Sequence, residues 1–273
     1  WKNLMGTDLF SDAVVEAYRV NDTADVDVLV NVRERGSQVV RLGIRVDDER
    51  NTQFGLDLAE ENLFDREIQV GARFVGGLRA RSAELGIAMP RVFNSYWKYG
   101  VAGYAARKNY YAYTNRQGLP TDEFERYRSG EFVIERYGMR MSAGKQIEKN
   151  GSLLGEFRFE RQRMFDKDST NLPNFSSLAT LKFDARFDTQ DLAYFPTSGR
   201  VIEISLESSI LNLRDDIKFS KAQMYYHAIL GGGRHILKPS LYFGFADVAL
   251  PPTEFFALGG QNSFYGMRES EER

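Results

Sequence analysis

The chain has 273 residues, and its 36 basic and 38 acidic side chains leave a formal net charge of −2, which argues against nucleic acid as a partner. Hydrophobic residues make up 42%, but no apolar run approaches the ~18 residues of a membrane helix, so a helical membrane protein is excluded. Cysteine is absent, which excludes a disulfide framework and a thiolate metal site.

The first 36 residues are typical of the end of a small α+β module. No signal peptide is visible at "WKNLMGTDLF", so we expect that it was removed or that the sequence is an internal fragment. A short helical start precedes an apolar strand from Val14 to Val20, a turn at "NDTAD" and the alternating strand "VDVLVNVRER". Gly36 and Ser37 mark the boundary to the rest of the chain.

From residue 38 onward, apolar and polar side chains alternate with the period of a β-strand. In "LKFDARFD", for example, Leu181 and Phe183 oppose Lys182 and Asp184. Read in this way, the chain contains roughly eleven strands. They are Gln38–Asp47, Thr52–Glu60, Glu67–Gly77, Arg81–Pro90, Trp97–Tyr113, Phe132–Ala143, Leu153–Arg163, Ser177–Thr189, Arg200–Ser209, Phe219–Leu230 and Ile236–Asp247.

The lengths of these strands favour an all-β, antiparallel transmembrane β-barrel. Several reach or exceed the ~9–11 residues that cross a bilayer at a tilt, whereas globular proteins favour strands of about 5–6 residues. The 13% of aromatic residues suits the aromatic girdles of such barrels. The alternative is a soluble, secreted β-sandwich that serves as a binding protein. Because a bacterial barrel normally closes with an even number of strands, we expect the sequence to be clipped at both ends.

Two loops carry the most specific motifs. The first, "FDTQDLAYFPTSGRVIEISL", places Asp188, Asp191, Pro196 and Gly199 in a turn between two alternating strands. The second closes the chain with "FFALGGQNSFYGMRESEER", which is rich in glycine and aromatic residues.

Together these loops resemble the bacterial surface-antigen superfamily of outer-membrane barrels, which includes BamA, TamA and the barrels attached to patatin-like phospholipases. The resemblance implies a barrel of the sixteen-stranded type, with about eleven strands present here. Residues 1–36 would be the C-terminal part of a periplasmic POTRA domain, which "LMGTDLF" also resembles. Residues 37–273 would be the barrel, truncated within its sixth extracellular loop. The first motif and "LAEENLFDREIQV" would be periplasmic turns.

The resemblance also implies that the sixth loop folds back into the barrel lumen. Its motif residues would be Gly259, Gly260, Phe264, Tyr265, Gly266, Met267 and Arg268. The superfamily usually has (V/I)-R-G-(F/Y) here, with an arginine that reaches the barrel wall, but this chain has Tyr265 in its place. Arg268 or Arg273 is a candidate for the missing cation. We predict a compact lumenal loop rather than a flexible surface loop, because glycine permits close backbone approach.

No pattern in these residues indicates a catalytic, cofactor or metal site. Asp188 and Asp191 are typical of turn residues that bond their own backbone, and His227 and His235 match no metal spacing. The nucleophile elbow G-x-S-x-G does not occur in the sequence, so a lipase domain, if there is one, would lie upstream. Salt-bridged rows inside the barrel are predicted from Arg41, Arg45, Lys182, Asp184, Arg186, Glu203 and Glu207.

The resemblance implies a location in the bacterial outer membrane and a role in outer-membrane protein assembly, insertion or translocation. Its partners would be outer-membrane lipid and lipopolysaccharide, together with unfolded outer-membrane proteins or periplasmic partners that bind the POTRA part. The alternative within the superfamily is a non-catalytic membrane anchor of a patatin-like phospholipase. Tyr265 and the "MRESEER" ending favour this alternative.

Overall fold

The computed structural model describes residues 10–19, 26–47, 51–64, 66–90, 95–115, 126–192, 195–210, 218–232, 235–247 and 250–259. Their regular structure consists of fourteen β-strands and one short 3-10 helix, Pro252–Glu254. No helix among the described residues is long and apolar enough to cross a membrane. The predicted helical start lies before residue 10, outside the described residues.

The strands form two sheets, both antiparallel. The small sheet pairs β1 (Phe10–Arg19) with β2 (Val26–Glu34). In the large sheet, each strand from β3 to β12 pairs with the next strand of the chain. Its strands are β3 (Gln38–Asp47), β4 (Asn51–Leu63), β5 (Ile68–Gly77), β6 (Ala80–Met89), β7 (Trp97–Asn115), β8 (Arg126–Ile147), β9 (Gly151–Asp166), β10 (Ser176–Asp188), β11 (Gly199–Ser209), β12 (Ser220–Gly232), β13 (His235–Leu237) and β14 (Ser240–Ala246).

The last two strands behave as one interrupted strand. Both pair with β12, and the pairs Leu230↔Leu237 and His227↔Ser240 belong to the same register. Pro239 has no N–H to donate, but its carbonyl still accepts a 3.0 Å hydrogen bond from the Ala228 amide. The prediction of a single strand over Ile236–Asp247 is therefore confirmed, with a local interruption at proline.

One face of the large sheet, here called the apolar face, is covered by exposed apolar side chains. Ile44, the most exposed of them, is 80% exposed, and a contiguous surface of this kind is far larger than a soluble monomer normally shows. The cross-strand pairs join these residues into one belt across the sheet. Its members include Val40, Leu42, Ile44, Leu85, Val101, Met141, Phe183, Leu206 and Phe243.

The opposite, polar face carries rows of charged side chains, and ion pairs connect them along and between strands. Every member of the predicted salt-bridged rows has an ionic partner, such as Arg41 with Asp57 and Glu61, or Arg186 with Asp188 and Glu203. That prediction is confirmed. The eleven predicted strands, with β13 and β14 counted as one, lie in one continuous sheet. The two stacked sheets of the sandwich alternative are not found among the described residues.

Because every pair is antiparallel, the connections alternate between two edges of the sheet. The proximal rim carries the turns at 64–67, 148–150 and 189–198, and the distal rim carries those at 78–79 and 167–175. Both motifs that resemble periplasmic turns thus lie on the proximal rim, while the segment after β14 starts from the distal rim. Short turns occur on both rims, at 148–150 on the proximal rim and at 78–79 on the distal rim.

Several strands are longer than the sequence indicated, and the longest of them are β7, β8 and β9. They have 19, 22 and 16 residues, and β8 includes "RYRSGE" before the predicted start at Phe132, while β9 includes "MFD" after the predicted end at Arg163. The distal ends of β7 and β8 are rich in polar residues, which resembles a loop in sequence. The ladder nevertheless continues there, with Thr114 opposite Tyr127, because backbone hydrogen bonds do not require an apolar face. The distal end of β9 continues through apolar residues, with Phe165 opposite Val133.

Candidate functional site

The segment that follows β14, residues 250–259, returns over the polar face of the sheet. Leu250 packs with Leu178 of β10 and with Phe219 in the only buried apolar cluster among the described residues. Phe256 packs against the same cluster, and it uses space that Gly244 leaves open, since a Cβ at position 244 would lie 2.9 Å from the Phe256 ring. We call residues 250–259 the returning segment.

Glu254 fastens the returning segment to three strands. Its Oε2 accepts a 2.7 Å hydrogen bond from Lys221 Nζ of β12. Its Oε1 lies 3.3 Å from Arg158 Nη1 of β9 and 3.5 Å from Arg136 Nη1 of β8. The Arg136 guanidinium also donates to the carbonyl oxygen of Thr253. One carboxylate therefore links the segment to widely separated parts of the sheet.

Further carboxylates on the sheet complete this cluster. Glu207 accepts from Arg158 at 2.7 Å, lies 3.2 Å from Lys221 Nζ and accepts from the Thr180 hydroxyl at 2.8 Å. Glu160 accepts a 2.6 Å hydrogen bond from the Tyr104 hydroxyl and lies within 4 Å of two guanidiniums. Three cations thus meet three carboxylates in what we call the Glu254 network: Arg136, Arg158, Lys221, Glu160, Glu207 and Glu254.

The burial of this network makes its charge balance important. The Glu254 side chain is only 5% exposed and that of Arg158 14%. Burial alone would raise the pKa of Glu254, but the positive charges of Arg158, Lys221 and Arg136 outweigh it and hold the pKa below its usual value. Glu254 is consequently an anion at neutral pH, and the network holds equal numbers of opposite charges.

The motif on the proximal rim forms a turn organised by Asp191. Its Oδ1 accepts from the amides of Leu192, Thr197 and Ser198, and its Oδ2 accepts from the Thr197 hydroxyl at 2.6 Å. Gly199 has a φ of +114°, and a Cβ there would lie 2.4 Å from the carbonyl oxygen of Thr189. The turn therefore depends on a side-chain acceptor at position 191 and on glycine at position 199.

Asp188 and Pro196 complete the motif. Asp188 accepts from the Gln190 amide at 3.0 Å and from Arg186 at 2.8 Å, and Pro196 lies between Phe195, which has a φ of +55°, and Thr197. These hydrogen bonds are local, as expected for turn residues. Of the lumenal loop motif, Gly259 ends the returning segment with a φ of +105°. Gly260, Phe264, Tyr265, Gly266, Met267 and Arg268 lie outside the described residues.

Replacing Asp191 with asparagine is expected to loosen this turn. The side-chain nitrogen of asparagine cannot accept a hydrogen bond from the Thr197 hydroxyl. The negative charge that the backbone N–H groups of the turn stabilise is also lost. We expect faster hydrogen exchange in a peptide covering residues 189–200, measured by mass spectrometry. The hydroxyl of Thr197 and the amides of Ser198 and Thr197 lower the pKa of Asp191 to about 2. The contribution of the charge is therefore complete above the unfolded pKa of about 3.9 and is lost as the pH falls towards the folded value.

Asp188→Asn is the matched control for this experiment, because Asp188 accepts from one amide of the turn where Asp191 accepts from three. Its exchange rates should change less. Equal rates in the wild type and in the Asp191 variant would contradict the assigned role of Asp191.

The residues of the Glu254 network were not identified as a site by sequence reasoning. The alternation in "EFRFER" assigns Arg158 and Glu160 to the polar face, and Glu254 is a single acid within the apolar stretch "PPTEFF". These signals indicate which way side chains face on the strands. They do not indicate which residues meet, because that depends on the register of five strands and on the path of the returning segment.

A single antiparallel sheet with an apolar outer belt and an ion-paired polar face is the architecture of a transmembrane β-barrel wall. A sequence model of the Omp85 superfamily domain matches residues 62–271. The chain belongs to the Omp85 superfamily, the superfamily of BamA-type outer-membrane barrels. This membership indicates a location in the bacterial outer membrane. A comparison with curated proteins finds no significant match.

Solved structures show the same fold. BamA from Haemophilus ducreyi, in a crystal structure lacking POTRA domains 1–3, matches with a TM-score of 0.71 at 14% identity, over 98% of this chain and 53% of that one. CdiB from Escherichia coli matches with a TM-score of 0.67 at 12% identity, over 97% of this chain and 50% of that one. The chain thus spans about half the length of the structures that it matches.

Proposed function

We propose that the protein inserts or translocates other proteins at the bacterial outer membrane, and that the returning segment closes part of the barrel lumen. The observation that carries this proposal is the attachment of Glu254 to Arg136, Arg158 and Lys221 inside the wall. A pore for solutes needs an unobstructed lumen. The returning segment is instead held inside the lumen by buried ion pairs. This arrangement supports a protein that acts on other proteins at the barrel wall and at the periplasmic side of the barrel.

The returning segment is, in this proposal, the start of the sixth extracellular loop. It follows the eleventh strand of the sheet, counting β13 and β14 as one, and starts from the distal rim. The distal rim would face the cell exterior and the proximal rim, with the Asp191 turn, the periplasm. Glu254 would take over the anchoring role that the superfamily gives to a loop arginine, with the signs of the two charges exchanged.

Residues 1–36 would form the C-terminal part of a POTRA domain in the periplasm. β1 and β2 support this proposal, because they form a separate antiparallel pair whose Val14, Val15, Val28 and Val30 side chains are exposed. Exposed valines on an isolated pair are suited to pack within a larger module. Such a module would receive unfolded outer-membrane proteins by adding their strands to its sheet edge.

Reconstitution tests the proposed function. The intact protein is incorporated into liposomes, and a urea-unfolded client barrel is added together with protease. We expect faster formation of protease-protected, heat-modifiable client than in liposomes that contain an unrelated porin. Protected client inside the liposomes would indicate translocation, and folded client in the bilayer would indicate insertion.

The same preparation separates the proposal from the alternative of a phospholipase anchor. That alternative is favoured by Tyr265 in the position of the loop arginine, and it predicts phospholipid hydrolysis by the intact protein without any effect on client proteins. Failure to accelerate either insertion or translocation would reject the proposed function.

A further inference from the structure

A row of arginines crosses the apolar face just above the belt, towards the distal rim. Arg81 of β6 lies directly opposite Arg107 of β7, Arg107 opposite Glu135 of β8, and Glu135 opposite Arg163 of β9. Arg161 lies two residues below Arg163 on the same face, opposite Tyr137. With strands about 4.8 Å apart, the row spans roughly 15 Å. We call Arg81, Arg107, Arg161 and Arg163 the rim patch.

The rim patch keeps a net positive charge despite its internal ion pairs. Glu135 pairs with Arg107 at 3.3 Å and with Arg163 at 2.6 Å, so one carboxylate faces four guanidiniums. The Arg107 side chain is still 52% exposed, and Arg81 and Arg161 are exposed as well. On the polar face, by contrast, the Glu254 network balances its charges one for one. The rim patch is therefore suited to an external anion.

Aromatic rings hold these guanidiniums at the upper edge of the belt. The Arg163 guanidinium lies 4.4 Å from the ring centre of Phe175 and 5.4 Å from that of Phe165. The Arg161 guanidinium lies 5.9 Å from the Phe175 ring, and Tyr137 packs edge-on against the same ring. Rings of this kind typically lie at the level where lipid head groups meet acyl chains.

The belt continues directly below the patch on the same strands. Leu85, Val101, Met141 and Phe159 occupy the next rows of the apolar face, and all four are exposed. A ligand that fits both surfaces needs an anionic group at the level of the arginines and apolar chains beneath it. Guanidinium groups bind phosphate with two parallel hydrogen bonds, so the arginines suit a phosphate as the anionic group.

We propose that the rim patch binds the phosphate groups of a phosphorylated glycolipid of the outer leaflet, whose acyl chains lie along the belt. This inference rests on the proposed function for the orientation, in which the distal rim faces the outside. The lipid is favoured over a free anion because the apolar face is continuous with the patch. Bound lipid would hold the distal ends of β6 to β9 at a defined height in the membrane.

The test titrates the intact protein, purified in a neutral detergent, with diphosphorylated lipid A while native mass spectrometry counts bound lipid. The variant R81Q/R161Q removes two charges and leaves both arginine partners of Glu135 in place. Each basic residue near an anionic lipid surface contributes about 1 kcal/mol, so we expect binding to weaken about thirtyfold. R81K/R161K, which keeps the charges, should bind within a few fold of the wild type.

R41Q/R73Q is the charge-matched control, since Arg41 and Arg73 lie on the polar face beside Asp57. It should bind lipid as the wild type does. Lipid A without phosphates should bind weakly to every form, and inorganic phosphate should compete only at concentrations far above those of the lipid. Equal affinity of R81Q/R161Q and the wild type, or equal binding of the dephosphorylated lipid, would overturn the inference.

The two proposals fail in distinguishable ways. If the protein accelerates client folding but the rim-patch substitutions leave lipid affinity unchanged, the lipid site alone is rejected. If lipid binding depends on the patch but no client is inserted or translocated, the lipid site stands and the proposed function is rejected.

Discussion

Replacing Glu254 with alanine is expected to lower the free energy of unfolding by about 3–5 kcal/mol, the cost of removing one partner from a buried ion pair. Arg158 and Lys221 would keep Glu207 as a partner, but three cations would then face two carboxylates in a site from which water is largely excluded. The measurement is urea unfolding of the lipid-reconstituted protein, followed by the heat-modifiable band on a gel.

Two further variants separate the loss of the Glu254 charge from general damage. Glu254→Gln keeps the size of the side chain and removes only the charge, so it should also destabilise. Glu61→Ala is the control, because Glu61 pairs with an Arg41 side chain that is 55% exposed, and such pairs contribute about 0–1 kcal/mol. A change below about 1 kcal/mol for both Glu254 variants would contradict the anchoring role.

The same network predicts the direction of an acid effect. The folded-state pKa of Glu254 is depressed, so its contribution to stability is fully present above the unfolded pKa of about 4.3. It is lost as the pH falls through the folded value. We therefore expect the difference in stability between the wild type and Glu254→Gln to be constant near neutral pH and to shrink in acid.

Replacing Leu206 with arginine is expected to destabilise the barrel in lipid by about 2–4 kcal/mol, the cost of a cation near the bilayer midplane. Leu206 is 52% exposed on the apolar face, between Phe183 of β10 and Ala222 of β12. It is the eighth of the eleven residues of β11, so it lies inside the strand and within the belt. Urea unfolding in liposomes measures the effect.

Ser205→Arg is the matched control, one residue away on the same strand. Ser205 lies on the polar face opposite Asp184, where a new cation meets an acid. We expect little loss of stability for this variant. A similar loss of stability from arginine at positions 205 and 206 would contradict the assignment of the two faces. If water surrounded both faces of the sheet, arginine would have a similar effect at the two positions.

Some parts of the fold could be predicted from the sequence and others could not. Alternation in stretches such as "LKFDARFD" was sufficient to locate the strands along the chain, because each strand shows the period-2 pattern independently of the others. The distal ends of β7 and β8 were missed, since they are rich in polar residues and the alternation is lost there. The Asp191 turn was located from Asp, Pro and Gly, whose preferences are local.

The candidate site was largely beyond such reasoning. The sequence indicates that Arg136, Arg158 and Lys221 face one side of the sheet, yet they are separated along the chain by tens of residues. Their meeting at Glu254 depends on the register of the intervening strands. It depends equally on a segment that leaves the distal rim and turns back, and no local pattern in "PPTEFF" encodes that path.

The sequence by itself determined the class of this protein in two ways: the alternation of side chains, a local property of each strand, predicted the antiparallel strands, and the two loop motifs carried the resemblance to outer-membrane barrels. Only the tertiary structure decided which charges are neutralised and which are left for a partner. Ion pairing depends on distances of a few ångströms between strands, and those distances are set by register and by the fold-back of the chain, not by any one segment.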